Sequence, residues 1–195
     1  IIFHVDAAQS AGKIPIDVEE MNIHLLSLSA HKIYGPKGCG VLYVRRKNPR
    51  IELREIIHGG GHEKGFRSGT LAVPNIVGLG KACEISQQLM KDETLRLESL
   101  RDKLLNGLQS KIPNLIINGS MDHRLAGNLN VCFPSGESDS IMMSMRDIAL
   151  SSGSACTSAS IQPSHVLQAL GLTKEQSHAS IRFGIGRFNT NERSI

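Results

Sequence analysis

Short apolar runs alternate with polar, glycine- and proline-containing punctuation over the first part of the chain. Residues 1–5, 23–29 and 38–44 are each five to seven residues long and bounded by such punctuation. That length and setting predict buried strands. Polar side chains stand just past the first two runs: Asp6 and Gln9 after the first, His31 and Lys32 after the second. In open α/β sheets that edge is where ligands bind. Residues 59–70 hold five glycines in twelve positions, which predicts a loop whose backbone can come close to a ligand.

A different period takes over after Pro74. Ile76, Leu79 and Cys83, then Leu97, Leu100, Leu104 and Leu108, fall three and four residues apart. This predicts a long helix ending near Gly107 and Pro113. The rest reads as α+β, with strands over 115–117 and 129–133 and a Met-rich helix over 139–146. A short strand over 148–150 runs into Ser151, a helix over 163–170 stops at Gly171, and a last strand covers 180–185. The fold class is α/β. A boundary is expected near residue 72, with 1–72 as one lobe and the long helix leading into a smaller α+β lobe over 73–195.

Composition narrows the function classes. Hydrophobic residues make up 40% of the 195, aromatics only 4%, and Trp is absent, so the core must be mostly Leu, Ile, Val and Met. A net charge of +4 with both signs interspersed is too mild and too spread for a nucleic-acid footprint. No apolar run approaches the ~20 residues that span a bilayer, and no basic-then-apolar signal segment opens the chain. The chain begins at Ile1, inside an apolar run, and closes on Asn-Glu-Arg-Ser-Ile without a cap or turn signal. The expectation is a fragment of something longer.

The four cysteines, Cys39, Cys83, Cys132 and Cys156, form no CxxC pair and no zinc-finger spacing. Free thiols in a reducing compartment are expected. Cys83 on the helix stripe and Cys39 and Cys132 in strands read as core packing. Cys156 differs, because every residue around it over 151–160 is small or polar and nothing anchors the segment in a core. It is read as an accessible, reactive thiol on a mobile loop. His58 and His62 have a metal-pair spacing, but the residues between them are all Gly, so no helix face aligns them. Ser10-Ala11-Gly12-Lys13 lacks the earlier Gly and the following Ser/Thr of a phosphate-binding P-loop.

Lys32 directly follows a strand, is flanked by Ser29 and His31, and precedes a Gly-Pro turn. It could be a desolvated amine that forms a Schiff base, with Ser29 and His31 as hydrogen-bond donors to a phosphate. On local pattern alone a solvated loop lysine is the safer reading. Asp6, at a strand end about 25 residues earlier, suits the partner of a pyridinium nitrogen, or else a turn-capping Asp.

Taken together these segments resemble the second half of a NifS/IscS-type (group I) cysteine desulfurase of the class-V aminotransferase family. The likeness is carried by residues 4–10, 29–38, 59–63 with 67–70, 151–160, and the closing run Ser180-Ile181-Arg182-Phe183-Gly184-Ile185-Gly186-Arg187-Phe188. The resemblance implies part of a fold-type I transferase that depends on pyridoxal phosphate. Its large-domain sheet remnant would occupy 1–72, with a small α+β C-terminal domain beyond. It implies that Lys32 bonds the cofactor and shuttles the Cα proton, that Asp6 pairs with the ring nitrogen, and that Gln9 contacts the phenolic oxygen. Ser29 and His31 would bind the phosphate, Thr70 would reach the phosphate held by a partner subunit, and Arg182 would clamp the substrate carboxylate.

Cys156 would be the nucleophile that becomes a persulfide as L-cysteine is converted to L-alanine. Implied partners are an iron–sulfur scaffold protein and other sulfur acceptors, including those of tRNA thiolation, with a homodimer as the full-length form. No nucleic acid or membrane is implied. Nor is any metal of the chain's own, beyond transient iron–sulfur contact at Cys156. The expected compartment is the cytoplasm or a mitochondrial matrix. Ser138 stands where the family usually has Gly. The family's first half would supply further cofactor contacts, so weak or no activity is expected of this chain alone. A non-catalytic truncated remnant and a selenocysteine lyase-like enzyme are the competing readings; an aminotransferase would have no use for the Cys156 thiol.

Overall fold

Two three-stranded sheets carry the fold in the computed structural model, which describes residues 1–134, 136, 138–145, 147–151 and 163–191. The chain divides into two compact units, Ile1–Lys91 and Asp92–Ile195. The first sheet is ordered β1 (His4–Asp6), β2 (Leu25–Ser29), β3 (Gly40–Val44). β1 and β2 run parallel with Asp6 level with Ser27; β3 returns antiparallel with Gly40 opposite Ser29. β2 and β3 fall inside the apolar runs read from the sequence, while β1 takes in only His4 and Val5 of the first run and extends to Asp6; contrary to the buried strands expected, β1 and the first half of β3 are largely exposed.

Ala7, Ala11, Ile23 and Leu26 form a buried cluster in this unit. Arg45, only 4% exposed, closes the connection between the first two strands. Its guanidinium donates to Ile23 O at 2.9 Å, to Val18 O, and to Glu19 Oε2 at 2.7 Å. A guanidinium so deeply buried is tolerable only because its donors are answered.

The long helix is α1 (Val73–Lys111). It starts where the lobe boundary was expected, and the division between the units falls within it. Leu100 and Leu105 are buried in the second unit and Leu104 and Leu108 pack beside that core, so the leucine spacing reports the inward face correctly there. The first turns differ. Ile76 and Cys83 are exposed, and the inward face is Leu79, Ala82 and Ser86. Cys83 is therefore not a core residue, because small side chains three and four apart occupy the buried stripe beside it.

In the second unit β4 (Ile116–Ile117), β5 (Asn128–Cys132) and, after three short helices among the described residues, β6 (Ser180–Gly184) make an antiparallel sheet ordered β4-β5-β6. The helices are α2 (Ser138–Ser144), α3 (His165–Ala169) and α4 (Lys174–His178). Leu129 and Val131 on β5 and Ile181 and Phe183 on β6 alternate inward, as period two requires, and meet Leu105 of α1. The strand expected over 148–150 is not formed. Ile148 N–H turns back to Met145 O at 3.1 Å, and only Ser151 pairs, as an isolated bridge to Arg182. Gly171, with φ +90°, ends α3 as expected. No helix among the described residues is long and apolar enough to cross a membrane.

Candidate active site

The first unit gathers most of the residues singled out above at one end of its parallel strand pair. β2 ends at Ser29 and passes directly into a single 3₁₀ turn, Ala30–Ile33, that carries His31 and Lys32. Two buried apolar residues, Ala30 and Ile33, face inward and pack with Leu79 and Ala82 of α1. The alternate positions, His31 and Lys32, are thereby turned out and exposed. Ser29 Oγ and His31 Nδ1 are hydrogen-bonded at 2.9 Å, with the donor set by the imidazole tautomer. The turn is closed by Gly35 N–H donating to Ala30 O at 2.9 Å, after Tyr34 in the left-handed region at φ +66°.

Asp6 is the last residue of the neighbouring parallel strand, level with Ser27. Its Oδ1 accepts the Ala8 N–H at 2.9 Å, which orients the carboxylate and uses one of its oxygens. The turn-capping and ligand-facing readings of Asp6 are thus compatible. One turn on, Gln9 Oε1 accepts from Lys13 Nζ at 3.2 Å. Lys13 is a member of this neighbourhood that sequence reasoning missed. Burial holds its ammonium below the usual lysine range, and the charge of Lys32 nearby adds to the effect. The four-residue spacing from Gln9 is by itself too common to mark it.

The glycine-rich loop precedes Thr70 and is stitched through its own residues. Ser68, 3% exposed, accepts Gly61 N–H on its hydroxyl at 3.1 Å and donates its own N–H to Ile57 O at 3.1 Å. His62 Nδ1 accepts Gly69 N–H at 3.3 Å, and Arg67 Nη1 donates to Gly69 O at 3.0 Å. Thr70 follows this closed loop and is exposed. His58 instead pairs with Glu55 at 3.1 Å, so the two histidines face different partners. Among the described residues no group of three or more His, Cys, Asp and Glu side chains could hold a metal ion.

Arg182 belongs to the second unit. It sits on β6 opposite Asn130, on the strand face away from Ile181 and Phe183. Its backbone N–H donates to Ser151 O at 2.8 Å and its Nη2 to Ser151 Oγ at 3.3 Å. Ser151 opens the small-residue segment that contains Cys156, and Cys156 itself lies outside the described residues. Cys132 is fully buried, with its thiol pushed up by burial. Cys39 is half-buried just before β3, its thiol directed at Asn75 O (3.4 Å) and Pro36 O (3.6 Å).

The donor set of the first unit has the chemistry pyridoxal phosphate requires. It places an amine (Lys32), a carboxylate (Asp6), an amide (Gln9), a hydroxyl (Ser29) and an imidazole (His31) at or just past the carboxyl ends of two adjacent parallel strands, a donor set that fits that group.

Comparison with known proteins gives one consistent answer. The aminotransferase class-V family model matches residues 1–193. A cysteine desulfurase IscS from Tolumonas auensis is 60% identical over 192 residues, which is 98% of this chain and 47% of that protein. A cysteine desulfurase IscS from Haemophilus influenzae (strain PittEE) is 59% identical over 191 residues, again 98% and 47%. Among solved structures, a NifS-like protein matches with a TM-score of 0.85 at 34% identity, covering 99% of this chain and 49% of that one. SspA in complex with cysteine matches with a TM-score of 0.71 at 41% identity, covering 95% and 50%. The chain spans about half the length of the curated relatives it matches.

Proposed function

This chain belongs to the aminotransferase class-V family, with part of the fold-type I transferase architecture, and we propose on that premise that it is the Lys32-bearing portion of a cysteine desulfurase. The reaction is conversion of L-cysteine to L-alanine with transfer of sulfur to an enzyme cysteine. The observation that carries the reading is the placement of Lys32 on the turn leaving β2 while Asp6 ends the parallel neighbour β1.

Pyridoxal phosphate, when bound, supplies the electron-withdrawing ring that makes the Cα proton of an amino acid acidic. Lys32 Nζ anchors it and moves that proton. Asp6 keeps a positive charge on the ring nitrogen, and the bond from Ala8 holds its carboxylate in orientation. Gln9 contacts the ring oxygen, and Ser29 and His31, already joined to one another, hold the phosphate. Arg182 receives the substrate carboxylate through its planar, two-donor guanidinium. The Cys156 thiolate attacks the substrate sulfur: the new S–S bond forms as the S–Cβ bond breaks, leaving a persulfide on Cys156 and the carbon skeleton of alanine.

Residues 1–72 form the cofactor-holding part and 73–195 the part bearing Arg182 and Cys156. The full-length enzyme is a cytoplasmic homodimer in which Thr70 serves the partner's phosphate, and its sulfur goes to an iron–sulfur scaffold and other acceptors. The solved relative with cysteine bound favours cysteine as the substrate class.

The test uses the protein in the length the cell makes. With pyridoxal phosphate it should absorb visible light, borohydride should leave a pyridoxyl group on Lys32, and Lys32→Ala should abolish both. L-cysteine should then yield alanine and a persulfide on Cys156 in equal amounts, and Cys156→Ala should give no persulfide. Colourless protein, or sulfide release that persists in Cys156→Ala, would sink the reading.

A further inference from the structure

Gln9 and Lys13 lie in the connection that leaves β1, and their side chains are joined by the 3.2 Å bond from Nζ to Oε1. An ammonium has donors and no acceptor, so it selects the oxygen end of a carboxamide. The nitrogen end of Gln9, with two N–H donors, is left to face other groups. The turn that carries Lys13 is held by backbone packing, while Gln9 itself is exposed. Gly12 has φ +71°, and a Cβ there would stand 2.9 Å from Ile33 Cγ2 and 3.0 Å from Ser86 Cβ. The turn that presents Lys13 therefore lies directly on the 3₁₀ turn of Lys32 and on α1, at a distance only glycine permits. Lys13 is partly buried there, so it is not a freely solvated surface lysine.

We infer that Lys13 is a positioning residue: by occupying Gln9 Oε1 it commits Gln9 to act through Nε2, as a donor to an anionic oxygen of the bound group. A phenolate ring oxygen is an acceptor of that class, and a charge-assisted bond to it is stronger than one between neutral groups. Before that group arrives, an amide free to turn would have its donor end forward only about half the time. The inference rests on the cofactor reading above.

Two measurements on one set of proteins test this: wild type, Lys13→Met, Lys13→Arg, Gln9→Leu, and the double variant Lys13→Met/Gln9→Leu. The first reads the Gln9 side-chain carboxamide resonance without ligand, assigned by its disappearance in Gln9→Leu. It should move in Lys13→Met and return towards the wild-type position in Lys13→Arg. The second is titration with pyridoxal phosphate followed by visible absorbance. Lys13→Met should weaken uptake about twofold, because an amide that is no longer preset offers its donor end about half the time. The double variant should be no weaker than Gln9→Leu alone. A resonance that Lys13→Met leaves unmoved, or losses that simply multiply in the double variant, would overturn the inference while leaving the cofactor reading intact. A wild-type protein that takes up no pyridoxal phosphate overturns that reading, and with it the inference, whatever the resonance does.

Discussion

Arg187 meets Glu93 side-on, its Nε and Nη2 donating to the two carboxylate oxygens, with the Nη2 bond at 2.9 Å and the side chains 15% and 16% exposed. Arg96, three residues beyond Glu93 on α1, donates to Arg187 O at 2.9 Å and Asn189 O at 2.6 Å. The stretch after β6 is thus tied to the helix by charge-assisted bonds in a largely dry setting. Removing one partner leaves the other charge buried. Glu93→Ala should cost about 3 kcal/mol in urea unfolding. Glu93→Leu combined with Arg187→Met should recover a large share of that loss. A Glu93→Ala cost near that of an exposed pair, below about 1 kcal/mol, would show that the charges find water instead.

Lys13 makes stability depend on pH in the alkaline range. Burial, with Lys32 second, lowers its pKa from the ordinary 10.5. The folded chain then binds fewer protons than the unfolded chain between the lowered value and 10.5. Stability is full above the ordinary value and declines as pH falls through that interval, until both states are protonated. Denaturation midpoints measured across the interval should rise with pH in the wild type. Lys13→Met should flatten the rise, and Lys32→Met should reduce it by the smaller share. A slope unchanged by Lys13→Met would assign the effect to another group.

The thiols should divide by burial. Cys83 is exposed on α1, while Cys132 is fully buried with its thiol pushed up by desolvation, against a weaker lowering contact from Ser180. Only a thiolate that reaches solvent alkylates. Cys132 should therefore react at least about a hundredfold slower than Cys83, through openings costing several kcal/mol. Peptide-resolved alkylation with and without urea reads this directly, and equal rates in native conditions would contradict the packing of β5.

The sheets were legible because their apolar runs are bounded by polar and glycine punctuation, and the inward leucines of the second half of α1 because they are large. Cys83 was misread for the opposite reason. Ala82 and Ser86 form the buried face beside it, and small side chains carry almost no hydropathy signal although they allow the closest packing. Helix α4 was missed despite a local signature. Thr173 and Gln176 form a reciprocal capping box, with bonds of 3.2 and 2.9 Å, in a segment too polar to show an apolar stripe. The placement of Asp6, Ser29, His31 and Lys32 at or just past strand ends was legible because each follows an apolar run. Lys13 was not, since its meaning comes from Gly12 packing on Ile33 across twenty residues of chain. The strand expected over 148–150 does not form, because Ile148 satisfies its N–H by turning back to Met145, just past α2.

Gly40 is where strand pairing and site geometry meet. It lies opposite Ser29 at the last pair of β2 and β3, and a Cβ there would stand 2.4 Å from Leu28 O. That atom is backbone in the central strand of the sheet, so no rotamer change relieves the clash and the strands must part. The next bond along, from Ala30 N–H to Cys39 O at 3.1 Å, starts the turn that carries His31 and Lys32. Gly40→Ala should therefore cost about 2 kcal/mol, the scale of overpacking in a close-packed region. Separation at this end also shifts Ser29 against His31, so pyridoxal phosphate uptake should fall more than stability alone explains. Val41→Ala, at an exposed position one residue on, is the control and should cost under about 1 kcal/mol with uptake retained. Unfolding curves and cofactor titrations on the two variants decide it: wild-type stability in Gly40→Ala would mean the strands already stand far enough apart to admit a methyl group.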